Sequence, residues 1–217
     1  MIQAVIFDMD GLLIDSEPMW KESEVKIFTQ YGVPLTYAMT KQTMGLRTED
    51  VVNYWYHRYP WAATPKNVVV RQIDQLVLDI IQEKAKPMMG VIDVLNNCKQ
   101  AGLQMAVASS SSLEIIHTVL EKLKILTYID VIHSAQNEEH GKPHPAVFMT
   151  AADQMGVPIH SCVVFEDSIT GVIAAKAAGM VCIAVPQHSD KEDGRYAIAD
   201  IVIPSLKQFR LDMIMAN

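Results

Sequence analysis

The sequence predicts a protein of the α/β class, with a doubly wound parallel sheet and an inserted all-helical domain. From about residue 90 onward, short apolar runs alternate with helical patterns, which is typical of a parallel sheet covered on both faces. One more apolar run lies near the start, at residues 4–7, and residues 16–86 contain helical patterns without a convincing strand. These three observations indicate a sheet domain whose sequence is interrupted by one helical insertion.

Each predicted strand is a short apolar run of the kind found in buried strands. The six runs are residues 4–7, 103–108, 131–134, 162–165, 182–185 and 201–203. The helical patterns between them are residues 91–101, 113–122, 146–155 and 168–178. Because parallel strands need such crossovers, we expect the strands to form one parallel sheet.

The inserted segment offers three helices, at residues 18–31, 48–57 and 65–84. Its limits fall at the turn after Asp15 and at Lys86-Pro87. We therefore predict a core domain of residues 1–15 and 87–217 and a helical domain of residues 16–86. Both linkers return to the end of the first strand, so the helical domain is expected to cover the residues found there.

Composition excludes several functional classes. The chain has 217 residues and is half hydrophobic, which suits a core domain with a smaller satellite. A net charge of −7 without a Lys/Arg-rich run argues against a nucleic-acid partner. Neither a signal peptide nor a membrane span is predicted, so a cytoplasmic protein is expected. Cys98, Cys162 and Cys182 are isolated and are interpreted as buried thiols. No protein partner can be identified.

Two carboxylates directly follow the first strand, in Asp8-Met9-Asp10-Gly11. Ligands of open α/β sheets bind beyond the carboxyl ends of the strands, and unpaired carboxylates in an interior must be protonated, paired with a cation or bound to a metal. Alone, the motif is equally compatible with a strand-end Asp and a turn Asp.

Two further features lie at or near strand ends. Ser109 to Ser112 stand where a strand gives way to a helix, and their hydroxyls and amides suit a phosphate, although an ordinary helix cap also explains a serine there. Lys142 stands in the turn Gly141-Lys142-Pro143 ahead of the next helix. Alone, it is better explained as a solvated surface lysine.

A second acid pair, Glu166-Asp167, ends the fourth predicted strand. Because a doubly wound sheet gathers such ends along one edge, both acid pairs are expected to meet there with Ser109 and Lys142. An anionic pocket that offers oxygen ligands without a His/Cys cluster predicts a hard ion, Mg²⁺ rather than zinc.

A metal ion, a lysine and helix-end amides together stabilise the charge of a phosphoryl group in transfer. In this interpretation Asp8 is the nucleophile and forms an aspartyl-phosphate, which divides one displacement into two. Asp10 is the general acid and base, which protonates the leaving oxygen and later deprotonates water. The predicted partner is a small-molecule phosphate ester.

These residues resemble the four sequence motifs of the haloacid dehalogenase-like superfamily, in order and across nearly the whole chain. The matching positions are Asp8-x-Asp10-Gly11, Ser109, Lys142 and Glu166-Asp167. The resemblance implies a Rossmann-like core and identifies the helical insertion as a C1 cap.

The resemblance also implies roles for individual residues. Mg²⁺ would be held by the side chains of Asp8 and Asp167 and the backbone carbonyl of Asp10, with Glu166 assisting directly or through water. Lys142 would orient the nucleophile and balance charge. The hydroxyl of Ser109 and the amide of Ser110 would bind the phosphoryl group.

Residues 7–18, 44–47 and 52–61 look like those of sugar-phosphate phosphatases within this superfamily. Hydrolysis of small sugar or polyol phosphates is therefore the expected activity. Arg47, at a predicted helix start, is expected to reach the substrate across the pocket mouth, or else to lie in solvent with its stem on aromatic residues.

Other functions stay open at this point. A β-phosphoglucomutase-like isomerase is disfavoured because those mutases carry a cap histidine where this chain has Trp20. Another small-metabolite phosphatase, acting for instance on phosphoglycolate, is a further alternative. A catalytically silent binding module is disfavoured because Asp8, Asp10, Lys142 and Asp167 are all present.

Overall fold

The computed structural model describes residues 1–187 and 192–215. Its centre is one six-stranded parallel sheet in the order β3-β2-β1-β4-β5-β6. The strands are β1 Ala4–Phe7, β2 Gln104–Ser109, β3 Val131–Ser134, β4 Cys162–Glu166, β5 Val181–Ala184 and β6 Ile201–Val202. This order reverses direction at β1, which places a topological switch point, the usual ligand crevice of such sheets, at the end of that strand.

The central strand β1 is buried on both faces, which explains why its sequence is a continuous apolar run rather than an alternating one. Val5 and Phe7 pack into the larger hydrophobic cluster on one face, and Ala4 and Ile6 into the cluster on the other. All four side chains are fully buried. The strand therefore holds the residues that follow it on a rigid base.

Helices cover both faces of the sheet. They are α4 Val91–Gln100, α5 Leu113–Lys122, α6 Ala146–Met155 and α7 Ile169–Ala177. The apolar residues of α4 and α5 belong to the larger cluster, and those of α6 and α7 to the smaller one. The prediction of an α/β fold with a doubly wound parallel sheet is confirmed.

The segment between β1 and β2 contains only helices before α4. They are α1 Glu17–Gln30, a 3₁₀ helix Met39–Thr43, α2 Thr48–Arg58 and α3 Lys66–Lys84. The chain leaves and re-enters the core at adjacent points, since Met88 N donates to Leu13 O at 3.0 Å and Ile14 forms an isolated bridge with Pro87. Both connections therefore lie close to the end of β1.

The structure differs from the sequence expectations mainly at element ends. Strand β6 has two residues instead of three, and β2 and β4 extend one residue further, to Ser109 and Glu166. A short helix, α8 Asp212–Met215, was not expected. The predicted core range also includes 188–191 and 216–217, which lie outside the described residues. In the part described, no helix combines the length and apolar character needed to cross a membrane.

Candidate active site

Three predicted site residues lie at the ends of adjacent strands. Ser109 and Glu166 are the last residues of β2 and β4, and Asp8 follows β1 directly. The amide of Asp8 still donates to Phe165 O at 3.0 Å, so the β1–β4 ladder fixes its backbone. Asp8 and Glu166 are buried. The sheet thus brings residues that are far apart in sequence to one edge, as predicted.

Lys142 is buried between two carboxylates. Its Nζ donates to Asp8 Oδ1 and to Glu166 Oε1, both at 2.6 Å, and lies 3.4 Å from Ala108 O. Burial by itself lowers the pKa of Lys142, but the charges of Asp8 and Glu166 outweigh burial and raise it. Lys142 is therefore a buried lysine that pairs with two carboxylates, and the alternative of a solvated surface lysine is wrong.

The acids at this edge carry more negative charge than Lys142 can balance. Asp8, Glu166 and Asp167 each offer a carboxylate oxygen, and these atoms lie within 4.8 Å of one another. Burial, together with the charges of Glu166 and Asp10, raises the pKa of Asp8 to about 7 against the opposing effect of Lys142. Burial, with the charges of Glu166 and Asp8, likewise raises the pKa of Asp167 well above its usual range. A divalent cation would offset this charge and suits an all-oxygen donor set.

Two glycines make room for these acids. A Cβ on Gly11 would lie 2.0 Å from Asp167 Oδ2, and its φ of +74° is one that side chains rarely adopt. A Cβ on Gly171 would lie 1.7 Å from Glu166 Oε1. The acids could not occupy their positions if either glycine carried a side chain.

Asp10 is held by four donors that come from two parts of the molecule. Its Oδ1 accepts from Ser16 Oγ at 2.6 Å and from Trp20 Nε1 at 2.7 Å. Its Oδ2 accepts from Ser111 Oγ at 2.7 Å and from Ser109 Oγ at 3.3 Å. We call Ser109 to Ser112, at the end of β2, the serine loop. The carboxylate of Asp10 therefore links the serine loop to the start of α1.

The contacts from Trp20 and Ser111 were not predicted from the sequence. Trp20 was considered only as a residue that replaces a histidine, and Ser111 only as a member of a serine run. The hydrogen bonds place both side chains against Asp10. An indole at a helix start, ten residues after the acid, is not a recognisable sequence signal.

The serine loop caps α5 as well as lining the site. Ser112 Oγ accepts from Ile115 N at 3.4 Å, so the ordinary capping role belongs to this serine. Ser109 Oγ accepts from Ser111 N at 3.1 Å. Ser110 Oγ donates to Gly45 O at 2.8 Å and thereby connects the loop to the inserted segment.

Arg47 is not brought to the acid cluster. Its guanidinium donates to both oxygens of Asp50 and to the carbonyls of Ala135 and Glu138. It is absent from the described residues that line the cavity. Arg47 neither contacts the site nor lies in solvent on aromatic residues; in this structure it connects the start of α2 to the loop after β3.

A cavity lies between the sheet edge and the inserted helices. On the sheet side it is lined by Asp8, Asp10, Ser109, Ser110, Ser111, Lys142 and Asp167. On the helical side it is lined by Glu17, Trp20, Lys21, Glu24, Thr40, Thr43, Met44, Leu46, Thr48 and Val51. The polar residues of α1 were not predicted to line it. Their spacing at positions 17, 21 and 24 could have indicated a shared polar face, since residues four and seven apart lie on one side of a helix.

Comparison with known proteins gives consistent results. A family model described as haloacid dehalogenase-like hydrolase matches residues 5–185. Hexitol phosphatase B of Escherichia coli (strain K12) is 37% identical over 208 residues, which cover 95% of this chain and 94% of that protein. The phosphorylated carbohydrates phosphatase of Thermotoga maritima is 30% identical over 188 residues, 87% of each chain.

Solved structures share the fold. A crystal structure of β-phosphoglucomutase from Clostridium difficile superposes with a TM-score of 0.90, covering 100% of this chain and 96% of that one, at 22% identity. The likeness therefore includes the inserted helices as well as the sheet.

Proposed function

The chain belongs to the haloacid dehalogenase-like hydrolase family, and on this basis we propose that it is an Mg²⁺-dependent phosphomonoesterase for small sugar or polyol phosphates. The observation that carries the proposal is the buried group of Asp8, Lys142, Glu166 and Asp167, which opens into a cavity that Asp10 also lines. The names of the relatives, a hexitol phosphatase and a phosphatase of phosphorylated carbohydrates, support this substrate class.

The acid cluster fits Mg²⁺. Three carboxylates face one ammonium group, and burial together with their mutual charges raises the pKa values of Asp8 and Asp167. We assign the ion to the side chains of Asp8 and Asp167 and the backbone carbonyl of Asp10, with Glu166 as an additional or water-mediated ligand. When bound, Mg²⁺ would neutralise charge on the phosphoryl oxygens and keep Asp8 ionised.

Asp8 is poised to act as the nucleophile. Lys142 occupies its Oδ1, and no donor from the described residues contacts Oδ2. We propose that Oδ2 forms a bond to phosphorus while the bond between phosphorus and the sugar oxygen breaks. In the second step water attacks phosphorus, the bond to Asp8 breaks, and inorganic phosphate leaves.

Asp10 moves the protons of both steps. In protonated form it gives its proton to the departing sugar oxygen, so the product leaves as a neutral alcohol. The resulting carboxylate then removes a proton from the attacking water and returns to its starting form. Ser109 Oγ and the amide of Ser110 are assigned to the oxygens of the phosphoryl group.

We further propose that residues 16–86 act as a cap domain over the core of residues 1–15 and 87–217. Ser110 Oγ contacts Gly45 O, and Thr170 Oγ1 contacts Met44 O at 3.3 Å. With the Arg47 contacts, these bonds close the cavity over the acid cluster, and opening would admit substrate. A cytoplasmic location agrees with three buried cysteines that form no disulfide among the described residues.

The test is a panel of hexitol, hexose, glycolate and nucleotide phosphates with Mg²⁺, scored both for released phosphate and for isomerised phosphate ester. We expect phosphate release from hexitol or hexose phosphates, its loss in Asp8→Asn, and no change in Asp15→Asn. Asp15 is a suitable control because it lies in the same segment but is exposed. Isomerisation of β-glucose 1-phosphate without phosphate release, or an active Asp8→Asn protein, would overturn the proposal.

A further inference from the structure

Glu24 is a buried carboxyl group that the proposed chemistry does not use. It lies on α1, its side chain lines the cavity, and only 8% of its surface is exposed. Its Oε2 is buried without a hydrogen-bond partner among the described residues. An unpaired buried polar atom is unfavourable, so a side chain kept in this state requires an explanation.

The other polar side chains of the helical wall leave mainly acceptors for a ligand. The hydroxyls of Thr40, Thr43 and Thr48 donate to Tyr37 O, Thr40 O and Asp74 Oδ1, at 2.9, 3.1 and 2.8 Å. Each hydroxyl proton is therefore already donated to an acceptor of the protein, and only oxygen lone pairs remain for a ligand. Lys21 is the one ammonium group on this wall within the described residues, and it is paired with Glu17.

The remaining part of the helical wall is apolar. Trp20, Met44, Leu46 and Val51 line the same cavity. A wall that combines acceptors with apolar side chains complements a carbon chain that carries hydroxyl groups, since the O–H groups meet acceptors and the C–H groups meet apolar atoms.

We infer that Glu24 determines specificity by hydrogen bonding a hydroxyl group at the end of the substrate remote from the phosphate. This inference rests on the proposed phosphatase function and narrows its substrate to esters with an uncharged, polyhydroxylated end. Burial raises the pKa of Glu24 to about 8, although the charge of Lys21 opposes it. At neutral pH the carboxyl is therefore mostly protonated and can both accept from a hydroxyl and donate to one.

The same wall selects against substrates that end in a carboxylate. An anionic end such as that of phosphoglycolate would meet the uncharged carboxyl of Glu24 and the Glu17–Lys21 ion pair, so no unpaired cation on this wall, within the described residues, would balance its charge. The substrate class is thus polyol or sugar phosphate rather than phospho-acid.

The test compares kcat/KM for sorbitol 6-phosphate with kcat/KM for n-hexyl phosphate, which has a similar carbon chain without free hydroxyls. Sites that bind a substrate hydroxyl reject analogues that lack it, so the wild type is expected to prefer the hexitol ester. In Glu24→Leu the ratio of the two values should fall about 10- to 100-fold, mainly through KM for the hexitol ester. Glu24→Gln, which keeps an acceptor of the same size, should keep most of the ratio.

Ser23→Ala is the matched control. Ser23 is the neighbouring buried residue of α1, its Oγ also has no hydrogen-bond partner among the described residues, and it does not line the cavity. This variant should leave both kcat/KM values unchanged, and circular dichroism should show that all three variants are folded.

The outcomes separate the two proposals. An unchanged ratio in Glu24→Leu, or an equal ratio loss in Ser23→Ala, would overturn the role of Glu24 while leaving the phosphatase proposal intact. A wild type that releases phosphate from neither ester nor from any member of the substrate panel would overturn the proposed function itself.

Discussion

The two walls of the cavity differ in how far their polar groups are satisfied by the protein. On the sheet side, Lys142 pairs with Asp8 and Glu166, and Asp10 accepts four hydrogen bonds. On the helical side, Glu24 keeps a buried oxygen without a partner among the described residues. The difference indicates that the polar groups of the sheet wall are held in place before substrate binds. On the helical wall, the substrate itself supplies the missing hydrogen-bond partner.

The largest expected effect comes from removing the cation of the sheet wall. In Lys142→Met, Asp8 and Glu166 lose their shared partner, and breaking a buried ion pair in this way typically destabilises a protein by about 3–5 kcal/mol. Denaturant unfolding in EDTA should show this loss, and phosphate release with Mg²⁺ should fall by about 10³-fold.

Lys176→Met serves as the control for that experiment. Lys176 pairs with Asp200 at 2.6 Å on the surface, where both side chains are at least one-third exposed, and such pairs contribute about 1 kcal/mol or less. Equal destabilisation by the two variants would remove the distinction between a preorganised interior pair and an ordinary surface pair.

The next effect concerns the helical wall and is a pH dependence of stability. Burial raises the pKa of Glu24 from its usual 4.5 to about 8, so the folded chain keeps a proton that the unfolded chain releases between these values. The stability contributed by this side chain therefore falls by up to roughly 5 kcal/mol as the pH rises through that range, and it is constant above it.

Urea unfolding of the wild type and Glu24→Gln at pH 5 and pH 8.5 measures this effect. Glutamine does not titrate, so the variant should gain stability relative to the wild type as the pH rises. Asp8 and Asp74, whose pKa values burial raises to about 7 and about 6, contribute equally to both proteins and cancel in the comparison. A difference that does not change with pH would show that Glu24 is already satisfied.

Trp20 joins the two walls, and its removal should have an intermediate effect. Trp20→Phe deletes the donor to Asp10 Oδ1 and is expected to lower kcat by about 10-fold, the usual magnitude for a hydrogen bond to a charged group. Trp61→Phe is the control, because Trp61 Nε1 donates to Thr64 O at 3.1 Å within the helical segment. Equal kcat values for Trp20→Phe and the wild type would mean that Asp10 does not depend on the helical wall.

The sequence predicted the sheet wall well because its residues follow strands. Asp8, Ser109 and Glu166 mark strand ends, and parallel strands bring their ends together whatever the intervening length. The role of Glu24 could not be predicted in this way. Its burial depends on how α1 packs over the sheet edge, and an isolated acid in a helix is normally exposed.

The contacts of Arg47 also could not be predicted from the sequence. Its position at the start of α2 was correctly placed, but the sequence could not show that Ala135 and Glu138 would offer carbonyls within reach. A side chain of this length has many partners available to it. Its contact is decided by how the inserted helices pack against the sheet and not by local sequence pattern.

The smallest expected effect comes from removing the hydrogen bonds by which Arg47 connects the inserted helices to the loop after β3. Arg47→Gln removes most donors to the loop after β3 and should raise KM by about 2- to 10-fold with little change in kcat, because only hydrogen bonds outside the cavity are lost. Arg58→Gln, an exposed change in the same helix, should leave KM unaltered. A large fall in kcat for Arg47→Gln would instead place this residue in the chemistry.

The central claim is that the phosphoryl group passes through Asp8. Acid quenching of the enzyme during turnover of sorbitol 6-phosphate, followed by reduction with borohydride, converts an aspartyl-phosphate to homoserine that peptide mass spectrometry can locate. We expect homoserine at position 8 and none in Asp8→Asn. A phosphoryl group on another side chain, or undiminished phosphate release by Asp8→Asn, would contradict the account.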